Sequence, residues 1–448
     1  MEIIGSLILS LTQSILFYGK QIGISMLIFE VVCNGIILFV LNQKEKIQNK
    51  AGLWLMVPIV LLSSTYFIFA NRTFYVANIF VIFALNFIMY VILTNSKGTL
   101  TNYLYKTGML FTDTVGEWQD GLKLSKEVAN EHLSVKKKTV NVKKIVKSVL
   151  IVCVVVGIVL ILLSSADSIF ANLFSGIGRI FTHINTANIF NLILRIVIMV
   201  MVYFLFLSFI LKVQDEFEED EYRREVEVKD TFTIKMLLAT LNIVYLVFCF
   251  IQIQSLFAKI NIQNSFDYAN YARSGFFQLM FVSFINLAVI LISNRYNAKK
   301  EKNIKILNLM LVVFTIIIAI SSMYRMHMYE MEYGLTYLRM FVYIILITEI
   351  IAFIPIVKYI LDDKFDFMKW CFGICIGAYC VANLMNIENI IVSRNLTRES
   401  IRSIDYNYLS NIASEDSYII LEDKLQDQNI DLKEETAIPE NIDKAMED

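Results

Sequence analysis

Long apolar runs separated by short polar stretches make up most of the chain. They fall near residues 23–41, 51–70, 75–93, 146–163, 189–211, 232–256, 275–293, 306–324, 338–358 and 367–385. Each is close to the ~20 residues that a helix needs to cross a hydrocarbon core of ~30 Å. Strict polar–apolar alternation is absent, so the pattern predicts helices and not the strands of a barrel. A helix also satisfies its own backbone groups, as lipid requires. Residues 3–18 are apolar but short, and Ser6, Ser10, Thr12, Gln13 and Ser14 interrupt them. They predict an interfacial or half-inserted helix, with a span as the alternative. The expected fold is therefore an all-α integral membrane protein: a polytopic bundle of about ten transmembrane helices plus an N-terminal interfacial helix.

Composition agrees with this pattern. Hydrophobic residues make up 57% of the chain and charged residues 18%, and the mean hydropathy is +0.60. A soluble core cannot hide that much apolar surface, so lipid is the solvent for much of it. Only Pro58, Pro355 and Pro439 break up the chain, which leaves long helices unhindered. The opening residues lack the basic start of a secretory signal, and no small-residue cleavage site follows. The net charge of −1 gives no basis for nucleic-acid binding, because the charges sit in blocks between apolar runs. Cys33, Cys153, Cys249, Cys371, Cys375 and Cys380 all lie inside apolar runs, where cysteine acts as a small hydrophobe and not as part of a disulfide framework.

Lysine and arginine set the expected orientation. One set of loops is basic. It holds Lys44, Lys46 and Lys50; Lys123 to Lys144 in the loop 94–145; Lys212, Arg223, Arg224 and Lys229; Arg295 to Lys305; and Lys358 and Lys364. The alternate connections are sparse in such charge, holding Arg72, Arg179, Lys259, Arg273 and Arg325. The basic loops are expected in the cytoplasm, and the tail beyond about Asn386 outside. The chain then divides into N-terminal helices (1–93), a cytoplasmic basic loop (94–145) and a main transmembrane domain (146–386). A C-terminal helical or irregular segment (387–430) and an acidic, disordered tail (431–448) follow.

Four segments on the expected outer face carry unusual polar and aromatic chemistry. Ser165-Ala166-Asp167-x-x-Phe170 follows a span. Tyr268-Ala-x-Tyr271-Ala-Arg273-x-Gly275-Phe-Phe277 begins as a polar loop and runs into a span, with Asp267 placed to cap the helix. Arg325-Met-x-x-Tyr-x-x-x-Tyr333-Gly-Leu-Thr-x-x-Arg339 joins two spans. An asparagine-rich element, Asn386–Asn395, leads to Asp405–Leu409. Together these elements resemble an uncharacterised family of bacterial multi-pass membrane proteins, catalogued as a domain of unknown function. Ser393 departs from the family pattern, which has a basic residue there, although Arg394 is adjacent. The resemblance covers about residues 146–410 and implies a multi-pass protein of the cell membrane, with no activity to carry over. An oxygenase label attached to some relatives finds no support here. His132, His183 and His327 are far apart, whereas such iron chemistry needs converging histidines.

The candidate ligand-binding residues of the outer cluster are Asp167, Tyr268, Tyr271, Arg273, Arg325, Glu330, Tyr333 and Arg339. Arginine with tyrosine suits an anionic or phosphate-bearing group, so the expected partners are the bilayer and a small-molecule or lipid ligand. Met323, Met326, His327, Met328 and Met331 form a soft-ligand group that would suit Cu(I). Methionine packing accounts for the same residues, and no metal or cofactor is expected. Charges inside the spans form the second candidate feature: Glu30 and Glu349 near mid-helix, and Arg195 nearer an end. Each costs roughly 2.5–3.5 kcal/mol or more at the bilayer centre unless paired or wetted. Glu349 or Glu30 facing an internal polar pathway is one reading. A structural pair such as Arg195 with Glu349 is the other. Asn86, Asn242, Gln252, Gln254, Asn286 and Asn383 are expected to tie helices together. These features favour a transport or permease-like protein. The alternatives are a membrane-embedded sensor or partner-binding protein and, third, a lipid-modifying enzyme. No nucleophile motif accompanies the carboxylates, so catalytic residues are not assigned.

Overall fold

The structure is a computed structural model that describes residues 1–69, 73–95, 98–116, 121, 123–125, 186–214, 231–257, 265–296, 301–362, 364–397, 406–414 and 417–422. Of residues 186–190, 253–257, 265–276 and 406–407 it describes the backbone alone. The expected span 146–163, the loop 126–145 and the acidic tail lie outside these residues, as does Asp167.

The described chain is helical throughout: α1 (Glu2–Phe17), α2 (Ile24–Gln43), α3 (Met56–Ile68, entered by a 3-10 turn at Lys50–Leu55), α4 (Tyr75–Thr94), α5 (Leu100–Gly116), α6 (Thr186–Lys212) and α7 (Thr231–Phe257). There follow α8 (Ser265–Tyr296), α9 (Lys302–Tyr333), α10 (Tyr337–Leu361), α11 (Phe367–Leu384), α12 (Ile387–Leu396) and α13 (Tyr406–Ile412). Among the described residues, nine helices are long and apolar enough to cross a membrane. Large apolar side chains such as Phe232, Ile243, Phe281, Val313 and Ile354 point outward from them. A surface this apolar fits contact with lipid chains. The protein is an all-α multi-pass membrane protein.

The chain forms two compact units, Met1–Lys50 with Leu93–Asn95 and Lys106–Glu216, and Ala51–Ile92 with Ser96–Tyr105 and Phe217–Asp448. In the first unit α1 packs against α2 and α6. Its inner face is small: Gly5, Ser6, Leu9, Ser10 and Ser14 are buried. Small residues let helix backbones approach closely in lipid. A Cβ at Gly5 would come within 2.9 Å of Ile36 Cγ2 on α2. The Ser6 hydroxyl is satisfied by the Glu2 carbonyl one turn back, at 2.8 Å. Glu2 meets Lys44 at 3.0 Å, and Phe17 packs edge-on to Phe29, with centroids 5.3 Å apart. These two contacts, at opposite ends of α1, lay the helix lengthwise and antiparallel along α2.

The second unit is built on α7–α10, which run alternately up and down. α8 packs on α9, α9 on α7 and α10, and α10 on α11 and α12, while α11 packs on α3. Its apolar core is layered. Leu238, Ile290, Ile304, Leu311, Phe353 and Ile356 fill the lysine-rich end. Ala319, Met326, Val342 and Leu346 fill the middle. Leu335, Met340, Ile387, Ile391, Val392 and Leu409 fill the opposite end. Lys305 reaches the Leu361 carbonyl at the end of α10, at 3.2 Å, where a helix dipole favours a cation.

Candidate functional site

The element joining α9 to α10 is a tight connection. α9 stops at Gly334, whose φ of +81° and ψ of 175° suit a residue without a Cβ. The Gly334 N–H still bonds back to the Glu330 carbonyl at 2.7 Å. Leu335 is buried and cannot reach water, so its peptide groups need partners. Asn395 on α12 supplies both. Leu335 N–H donates to Asn395 Oδ1 at 2.7 Å, and Asn395 Nδ2 donates to the Leu335 carbonyl at 2.8 Å. The first amide of α10, Tyr337 N–H, donates to the Tyr408 hydroxyl of α13 at 3.1 Å. The Tyr337 hydroxyl donates to Glu388 Oε1 at 2.6 Å. Asn386 caps α12 from the left-handed region, at φ 44°, a conformation that asparagine tolerates better than most residues. The asparagine-rich element is thus built to fasten α12 and α13 onto the α9–α10 turn.

Charged groups gather beside this turn. Glu330 Oε2 accepts the Tyr343 hydroxyl at 2.8 Å and lies 3.6 Å from His327 Nδ1. Glu330 Oε1 lies 3.4 Å from Nε of the half-exposed Arg394. The Arg339 guanidinium bonds the Gly334 carbonyl. It stacks 4.2 Å from the Tyr329 ring centre, with Tyr333 at 6.0 Å. Arg325 faces α7, where it donates to Gln252 Oε1 at 3.2 Å. Met326 is fully buried with Val342 and Leu346, and Met323 packs on the same apolar cluster, so these two methionines serve the core.

A second feature runs through the interior of this unit. Ser293 donates to Asn308 at 2.7 Å, joining α8 to α9. Asn242 of α7 donates to the Leu307 carbonyl at 3.1 Å. Tyr245 of α7 donates to Asn286, which donates in turn to Thr315 at 3.1 Å. Ser283 of α8 donates to Glu349 Oε2 of α10 at 2.8 Å. With a helical rise of 1.5 Å per residue, these levels and those of Arg325 and Glu330 follow one another about 5–10 Å apart. They form a polar file along an apolar bundle. Four buried atoms on it have no partner among the described residues: Asn242 Oδ1, Asn294 Oδ1, Asn308 Nδ2 and Glu349 Oε1. Such atoms are uncommon, since buried polar groups are normally bonded.

The expected site residues are distributed as follows. Glu330, Tyr333 and Arg339 come together at one turn, with Arg325 on the adjoining stretch of α9. Tyr268, Tyr271 and Arg273 lie on α8, which is helical from Ser265, so the polar segment continues the span and Asp267 sits inside its first turn. The bonds Ser293–Asn308 and Asn286–Thr315 fix the antiparallel register of α8 on α9. That register brings residues 268–273 of α8 level with residues 328–333 of α9. Glu30 is buried on α2 and accepts from Asn34 Nδ2 at 3.1 Å. Arg195 does not turn to Glu349. Its Nε donates to Ser14 Oγ at 2.8 Å, its Nη2 to the Ser14 carbonyl at 3.1 Å, and Tyr18 lies under it at 5.5 Å. Of the expected interhelical amides, Asn242, Gln252, Asn286 and Asn383 take that role. Asn78 was not anticipated. It ties α4 to α3 and α11 through Thr65 at 3.2 Å, Asn383 at 2.7 Å and Tyr379 at 2.6 Å. A cavity of about 10 Å³ beside it is water-sized, too small for a solute.

A family model described as "Domain of unknown function (DUF4153)" matches residues 56–423. Comparison with curated proteins and with solved structures finds no match.

Proposed function

We propose that this chain, which belongs to the DUF4153 family, is a permease-like transport protein in which Glu349 relays a proton along the polar file of its second unit. One observation carries the reading. Glu349 lies at the middle of α10 and is only 6% exposed, with one carboxyl oxygen on Ser283 and the other without a partner among the described residues. A structural role would call for a cationic or fully bonded neighbour, since an unmatched carboxylate at mid-membrane is costly. Arg195, the candidate cation, is occupied in its own unit by Ser14. A carboxyl that alternates between protonated and ionised forms suits a site flanked by hydroxyl and amide groups above and below it.

Purified full-length protein in vesicles, with an internal pH dye and an imposed potassium diffusion potential, tests the proposal. Wild type is expected to move protons faster than empty vesicles, and Glu349→Gln to return the rate to that of empty vesicles. Equal rates for wild type and Glu349→Gln, or no rate above empty vesicles, overturn it. A sensor or partner-binding protein is the second reading. It is supported by the fastening of α12 and α13 onto the α9–α10 turn through Asn395, Tyr408 and Glu388. Ligand binding without flux would favour it.

A further inference from the structure

We infer that Lys20 and Arg195, gathered at the C-terminal end of α1, form a binding site for one phosphate-type anion. Both cations reach the last turn of that helix. Arg195 Nη2 donates to the Ser14 carbonyl at 3.1 Å, and Lys20 Nζ to the Ile15 carbonyl at 3.0 Å. Ser14 and Ile15 are consecutive, with Cα atoms ~3.8 Å apart, so the two charged groups lie within about 10 Å of each other. A phosphate group that accepts a charge-assisted bond of about 2.7–2.9 Å from each fits between them. Donors remain for it. The arginine carries five N–H groups and the lysine three. Ser14 takes two from the arginine, at Nε and Nη2, and Ile15 takes one from the lysine.

The charge is unbalanced as well. Among the described residues, no carboxylate lies within ion-pair distance of Lys20 or Arg195, and the described carboxylates of this unit are Glu2, Glu30, Glu45 and Asp113. Glu2 pairs with Lys44 at the other end of α1, and Glu45 follows that lysine. Asp113 adjoins Thr114, whose carbonyl accepts from Ser208, ~20 Å along α6 from Arg195. Glu30 accepts from Asn34. Setting Glu30 and the half charge at the negative end of the α1 dipole against the two cations still leaves positive charge over. The depth suits a headgroup. Arg195 lies about 6 Å inside the span Asn191–Lys212, from where its stem can carry the charge to the interface. The Tyr18 hydroxyl donates to the Asn191 carbonyl at 2.7 Å, which holds its ring under the guanidinium. Lys20 is exposed, and a Cβ on neighbouring Gly19 would meet nothing within 4 Å, so the approach is open. An anionic lipid phosphodiester and free phosphate share this chemistry. The site belongs to the first unit, so its failure leaves the reading of Glu349 untouched.

Thermal unfolding of the full-length protein in maltoside micelles, which carry no phosphate, tests it at constant ionic strength. Three arms add phosphatidylglycerol, phosphatidylcholine (whose choline cancels the charge) and inorganic phosphate. The wild-type midpoint is expected to rise further with phosphatidylglycerol than with phosphatidylcholine, which identifies a headgroup, or to rise with inorganic phosphate, which identifies a free anion. Lys20→Gln is an exposed change that spares the core. It is expected to need about tenfold more of the effective anion for half the shift, as loss of one charge-assisted bond implies. Arg195→Gln should abolish the shift, read against its own starting midpoint. Lys364→Gln, in the second unit, should respond as wild type. The site is overturned if wild type gains nothing from phosphatidylglycerol beyond phosphatidylcholine and nothing from phosphate. An unaltered response in Lys20→Gln, or an equal loss in Lys364→Gln, overturns it too.

Discussion

Replacing Asn395 by alanine removes both hydrogen bonds that close the α9–α10 turn. Leu335 is 4% exposed, so water cannot take over either peptide group. Each buried group left unsatisfied costs about 1–3 kcal/mol, giving roughly 2–6 kcal/mol for the pair. Part of any loss could instead come from the small void left by the side chain. Asn395→Leu separates the two causes, because it restores volume and no hydrogen bonds. Equilibrium unfolding in mixed micelles, followed by circular dichroism, should show both variants destabilised by similar amounts. Recovery of stability in Asn395→Leu, or a change below about 0.5 kcal/mol in Asn395→Ala, the range of ordinary surface substitutions, would refute the clamp.

Gly334→Ala is expected to cost about 1–3 kcal/mol in the same assay, because φ and ψ at this position suit glycine alone. Wild-type stability would show that the turn relaxes without strain. Arg195→Met should loosen α1 by about 1–3 kcal/mol, and Arg195→Lys should recover less than half, since an ammonium cannot reproduce a planar fork bonded to Ser14 Oγ and carbonyl. Full recovery by lysine would reduce the contact to charge alone. A double-mutant cycle of Asn78→Leu with Asn383→Leu should give a coupling energy of about 0.6–1.7 kcal/mol, the range for hydrogen bonds between helices in lipid. Strict additivity would contradict a direct bond.

The bundle was legible in the chain because hydropathy over twenty residues is a local signal that needs no partner. The runs at 23–41, 75–93 and 367–385 became α2, α4 and α11 within two residues at either end. Where helices extend past the lipid, that signal stops short. The stretch from Ser265 to Gly275 is polar, yet it continues α8 as helix, because helix propensity and the neighbouring α9 do not depend on hydropathy. Partnership was harder to read. Arg195 and Glu349 are natural partners by charge, but sequence carries no measure of which helices adjoin, and Ser14 claims the arginine. Asn78 and Ser283 offered no pattern beyond a small polar residue inside an apolar run. Their roles come from opposing residues 305 positions away for Asn78 and 66 positions away for Ser283. The turn motif was legible as a group, since Glu330, Tyr333 and Arg339 lie within ten residues. Its fastening to Asn395 was hidden, because that bond crosses sixty residues.

We expect the α9–α10 turn outside the membrane and the lysine-rich ends of α8 and α9 on the cytoplasmic side, with the polar file between them. Single cysteines at Thr336 and Lys300, in a cysteine-free background, test this with a membrane-impermeant maleimide on right-side-out vesicles. Thr336→Cys is expected to label at once, and Lys300→Cys only after the vesicles are opened. Labelling of both from outside, or of Lys300→Cys alone, would contradict the arrangement.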